Sequence, residues 1–160
     1  MPKVAVVAKD ISALKSIGKI FSIPRISDAL VFAPNERLDE GPVCLWAKAS
    51  YGNYREAWET AASIGSLNKI GVFHIGEYGD NIDVDHVYPR SWALHNGMSN
   101  YWLRLFPIYG EINRSAGAGI EKNTPINRMP AHGVIWATEY QILKMISHPV
   151  GTPKPRLEAI

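Results

Sequence analysis

Cysteine is almost missing from this chain. Cys44 stands alone, which excludes an intrachain disulfide and any Cys-x-x-Cys pair for structural zinc. That usage fits a reducing compartment and equally fits export of a disulfide-free protein. Long apolar runs are missing from the start as well. The opening MPKVAVVAKD holds one short apolar stretch, Val4 to Ala8, too short for a signal-peptide core and far too short to span a membrane. The expectation is a soluble chain with no membrane partner and a cytoplasmic site of action, whose delivery to another cell would need a route other than a cleaved N-terminal signal. Neither sign of charge prevails. Lys and Arg number 17 against 15 Asp and Glu, and a formal charge of +2 is too small to establish a nucleic-acid partner. It leaves room for a local basic surface. Repeats and low-complexity tracts are absent too, and 160 residues at 46% hydrophobic and 20% charged predict one domain, residues 1–160, with a buried core.

What the chain does contain reads as mixed secondary structure. KVAVVA (3–8) predicts a strand, although alanine weakens it. In DISALKSIGKIF, Ile11, Leu14, Ile17 and Phe21 recur at helical spacing behind Asp10 as N-cap. Residues 22–42, rich in Pro, Asn and acid, predict an irregular connection. PVCLWAKA (42–49) predicts a strand, and Asn53 is expected to cap a helix, YREAWETAASIGSL, with Tyr54, Ala57, Trp58, Ala61 and Ile64 on one face. KIGVFHIG (69–76) predicts another strand. GVIWATEYQILKMI (133–146) predicts a helix buried through Ile135, Trp136, Tyr140, Leu143 and Ile146, and the Pro-rich last dozen residues predict a tail. With no βαβ rhythm, the fold class expected is α+β.

One stretch breaks the pattern. DVDHVYPRSWALHNGMSNYWLRLFPIYGEINRSAGAG (83–119) crowds Asp83, Asp85 and His86 onto a β-branched run. A core strand has no need of three such groups together, and local conflicts of this kind mark functional sites. The segment parses as a strand (about 83–88), a loop from Pro89 to Asn100, a strand (about 101–108), and a short helix around 109–116 stopped by Gly117 and Gly119. Among its neighbours, Trp92, Tyr101, Trp102 and Phe106 read as core. His74, His95, His132 and His148 read as structural or surface residues, with His95 near enough in sequence to line a cleft. Arg90, Arg104, Arg114 and Lys122 outnumber Glu111 and Glu121, a local basic surplus suited to phosphate contacts.

Asp85-His86-Val87-x-Pro89-Arg90-Ser91, with Asn100 before an apolar strand and Asn113 on a following helix, resembles the HNH (ββα-metal) endonucleases. The likeness covers about 40 residues, a finger at about 82–123 set within the larger domain. The INRSAGAGIEK ending is similar to the finger-closing helix in nuclease domains of bacterial polymorphic toxins. The resemblance implies a metal-dependent endonuclease acting on double-stranded DNA. It makes His86 the general base and Asn100 the residue that braces the loop and orients His86. Asp85 and Asn113 become ligands of Mg²⁺ (or Mn²⁺), with Asp83 and Glu111 as their substitutes. Arg90, Arg104, Arg114 and Lys122 become nucleic-acid contacts. The chemistry is coherent: a hard cation neutralises charge developing on the phosphate, while a near-neutral imidazole activates water. It also implies an antibacterial toxin held in check by an acidic immunity protein. This chain departs from the pattern where WALHNG replaces the usual Gly-Gly and where the gap from Asn100 to Asn113 is longer. Two other readings stay open, a non-catalytic nucleic-acid-binding module and a metal-independent ribonuclease using His86 and His95. Extended backbone sends adjacent side chains to opposite faces, so Asp85 and His86 can share one site only at a bend.

Overall fold

The computed structural model describes residues 2–79, 81–110, 129–130, 132–147 and 150. Its elements are β1 (Ala5–Ala8), α1 (Ile11–Lys15), β2 (Gly18–Ile23), β3 (Ile26–Pro34), β4 (Cys44–Lys48), α2 (Tyr54–Ala62) and α3 (Gly65–Ile70). A 3₁₀ turn (Ile75–Tyr78), β5 (Ile82–His86), α4 (Arg90–His95), β6 (Trp102–Tyr109), β7 (Val134–Trp136) and α5 (Glu139–Ser147) complete them. All strand pairings are antiparallel, in the order β2-β3-β4-β6-β1-β7, with β5 added on β6. The class is α+β, as expected.

β1 is buried along its whole length between β6 and β7, and this two-sided burial explains how Ala-Val-Val-Ala forms a strand despite its alanines. Asp10 caps α1 by accepting the Ala13 N–H at 2.9 Å. The helix then stops at Lys15, and Phe21, expected on its face, belongs to β2 instead. The connection expected at 22–42 is a correction of the same kind. Pro24 lies in the turn before β3 and Pro34 ends it, and the apolar run between them pairs with β2 and β4.

The strand expected at 69–76 does not form. Gly71, at φ 132°, ends α3, and the backbone that follows is satisfied by side chains of α2: Trp58 Nε1 donates to the Phe73 carbonyl at 3.0 Å, and Glu59 accepts the Ile75 N–H. The single helix expected at 133–146 divides in two. Val134 to Trp136 pair with β1, and Thr138 and Gln141 exchange hydrogen bonds in a capping box that starts α5 afresh. The restart rotates the buried face onto Ile142 and Met145 and leaves Leu143 47% exposed.

Arg104 requires a second correction. Expected to touch phosphate, it is instead fully buried in β6, paired with Asp39 at 2.8 Å, and it donates to the carbonyls of Ala5 and Pro42. A Cβ on Gly41 would collide with its guanidinium, so glycine is required there. Arg104 ties β1, β6 and the 39–42 loop together and is unavailable to nucleic acid.

The expected finger is found only in its strands. β5 and β6 pair antiparallel, from Ile82 opposite Tyr109 to His86 opposite Leu105, but the loop between them contains α4, and β6 also pairs with β4 and β1. β6 is therefore an inner strand of a large sheet, and a separate ββα-metal unit is not seen among the described residues. The helix expected at 109–116 lies, apart from its first two positions, outside the described residues, together with Glu111, Asn113, Arg114 and Lys122.

Candidate functional site around His86

β5 alternates in burial as a half-covered strand must, with Ile82, Val84 and His86 buried and Asp83 and Asp85 partly exposed. Ile82 and Val84 join the core under α2, whereas Val87 joins the core that holds Ile142 and Met145 of α5. The strand stays extended through its end, because the Val87 N–H still donates to the Arg104 carbonyl. Asp85 and His86 therefore face different helices. The bend that would bring them together is absent from this strand.

On the α2 side, His86 is 5% exposed and packs edge-on against Tyr54, with ring centroids 4.7 Å apart. Burial, with the positive charge of Arg90 as a second cause, lowers its pKa to about 4, so the imidazole is neutral at physiological pH. Its Nε2 has no hydrogen-bond partner among the described residues. Trp46 Nε1, Tyr88 Oη and Arg104 Nε share that condition, and His86 also lines a cavity. That cavity, about 330 Å³, wraps the outer edge of β5 and is lined by Tyr54, Arg55 and residues 82–86. Arg55 donates to the Ile82 carbonyl at this edge, and Arg90, at the start of α4, is held by an Nε bond of 2.7 Å to the Ala49 carbonyl.

On the α5 side, both oxygens of Asp85 are engaged. Oδ2 accepts from the Lys144 ammonium at 2.9 Å and Oδ1 accepts the His86 N–H at 2.8 Å. The Lys144 side chain is 3% exposed and its Nζ lies 5.8 Å from the Phe106 ring centre. Among the described residues no three His, Cys, Asp or Glu side chains converge as a cation site would require. The magnesium ion implied by the resemblance thus finds no fitting donor set in the described part of the molecule: one expected ligand neutralises a buried ammonium, and the expected base faces away from it.

Asn100 is exposed and borders a different and larger cavity, about 630 Å³, with Lys48 and Trp102. It does not line the cavity of His86 and does not brace the imidazole. His95 is exposed at the far end of α4 and is not part of the lining either. Of the expected site residues, the fold brings together His86, Asp83, Asp85 and Arg90, and it adds Tyr54, Arg55 and Lys144. The first two additions were legible only as the opening turn of a helix. Lys144 was hidden by a misjudged helix face. No family model, no curated protein and no solved structure matches this chain.

Proposed function

We propose that this chain is a nuclease that cleaves phosphodiester bonds with His86 as the proton acceptor. The observation that carries the reading is a neutral imidazole, its Nε2 without a partner among the described residues, on a cavity that Arg55 also lines and with the positive charge of Arg90 acting on the ring. Phosphate oxygens are held by the arginines, which withdraw negative charge from phosphorus. The attacking hydroxyl gives its proton to His86 as its oxygen bonds to phosphorus. The bond to the leaving oxygen then breaks, and that oxygen takes a proton from the imidazolium. Entry of a phosphate anion beside His86 raises the basicity of the ring at the moment when it must accept a proton.

The Asp85–Lys144 pair favours a form of this reaction that needs no divalent cation, since Asp85 is already neutralised. The toxin role, with an acidic immunity protein covering Arg55 and Arg90, is part of the same proposal and rests on the likeness of the 83–123 segment to toxin nucleases. The test is cleavage of plasmid DNA and of RNA, each with Mg²⁺, with Mn²⁺ and with EDTA. Activity is expected on at least one polymer, to survive EDTA, and to fall roughly 10²–10⁴-fold in His86→Ala while the protein stays folded. An unchanged rate in that variant would remove His86 from the chemistry, and loss of activity in EDTA would restore the metal.

A further inference from the structure

Reach decides what this site can accept. A nucleophile must come within hydrogen-bond distance of the His86 ring, yet only 5% of that residue is exposed, edge-on to Tyr54 in the lining of a cavity of about 330 Å³. That volume is at the small end for ligand pockets and has room for a unit of about one nucleotide. A base-paired duplex presents its phosphates on a broad convex rod and keeps its bases stacked inside, so it cannot push a backbone linkage down to a recessed ring. Enzymes with this problem act on single strands or pay to extrude a nucleotide.

The walls answer the same requirement. Tyr54 is partly exposed and lines the cavity, with Arg55 next to it in the first turn of α2 and Arg90 contributing its charge from α4. An aromatic ring beside a guanidinium group matches an unpaired nucleotide, whose base offers a π-face and whose flanking phosphates offer charge.

We propose that the substrate of the His86 site is single-stranded polynucleotide, with one unpaired base stacked on Tyr54 and its phosphates on Arg55 and Arg90. This replaces the duplex expected from the sequence, and it rests on the nuclease reading above. Tyr54 acts here as a binding residue, and its loss weakens capture more than turnover.

The experiment uses the full chain and one labelled sequence in three forms: single-stranded, fully paired, and paired around an unpaired loop, each as RNA and as DNA. Expected is cleavage of the single strand and of the loop about a hundredfold faster than of the duplex, in kcat/KM. Tyr54→Leu should raise KM for the single strand about tenfold with kcat nearly kept, and thermal melting should show it folded. Equal rates on paired and unpaired forms overturn the inference and leave the nuclease reading intact. Tyr54→Leu with unchanged KM removes the stacking platform. Failure to cut any form overturns both.

Discussion

Lowering the pH charges His86 in the unfolded chain well before it does so in the folded one, and this gap is open to direct measurement. The ordinary histidine value is 6.5 and the folded value is about 4, lowered first by burial and then by Arg90. Above 6.5 the ring is neutral in both states and has no effect on the balance. Between 6.5 and about 4 the unfolded chain binds a proton that the native chain refuses, so stability falls as pH falls. Below about 4 both states are protonated and the loss is complete. At the usual conversion the interval amounts to roughly 3 kcal/mol, a large share of the stability of a domain this size. The matched control is His86→Leu, which cannot titrate and whose parent Nε2 had no partner to lose. Urea midpoints by tryptophan fluorescence, taken between about pH 8 and pH 4, should diverge, with the parent protein losing roughly 3 kcal/mol more than the variant. The carboxylates are common to both proteins and cancel in the difference. If the two stability curves run parallel across this range, His86 is not held neutral by burial, and the proposed base is already charged near pH 6.

Two further outcomes follow from the buried ion pairs. Asp39→Ala leaves the Arg104 guanidinium sealed in the core without its counter-charge, and urea unfolding should register a loss of about 3–5 kcal/mol. Lys144→Met should cost less, about 1–3 kcal/mol, because the stranded Asp85 side chain is 22% exposed and can recruit water. Combining Lys144→Met with Asp85→Asn should recover part of that loss, and a double-mutant cycle that closes additively would show that the pair carries no coupling.

The parts of the fold that were legible in the sequence were those in which one local signal acted alone. Asp10 ahead of α1, the stripe of α2 from Tyr54 to Ala61 and the Cys44–Lys48 run formed where their patterns placed them, although α2 ends at Ala62 and Ile64, expected on its face, instead precedes α3. Where two signals overlapped, the longer-range one prevailed. Phe21 fits a helical stripe but was taken by the β2–β3 hairpin, and the 134–136 segment was drawn out of a helix by an open edge of β1. Arg104 shows the limit most clearly. Its place among basic residues argued for the surface, and nothing local indicated that Asp39, 65 positions away, would hold it in the core. In the candidate site, His86 lies within reach of the charge of Arg90, as their spacing anticipated, whereas Asn100 was misplaced because α4 occupies the loop it was meant to close.

The proximity of acid and histidine in Asp85-His86 has a different cause from the one that first drew notice to it. On a strand that remains extended, two adjacent side chains cannot address one phosphate, whatever their chemistry. The acid nevertheless bears on the histidine, through the backbone. One oxygen of Asp85 caps the N–H of His86 at an edge where no described strand pairs, and the other is fixed by Lys144 of α5. A free strand edge otherwise invites pairing with other chains or distortion, and here it is closed by the residue beside the one that must be held still. Asp85 is thus a clamp on the position of His86, and its charge is taken up in making α5 part of that clamp. The adjacent pair meets one requirement of the proposed reaction, that His86 stay in place when a substrate approaches it.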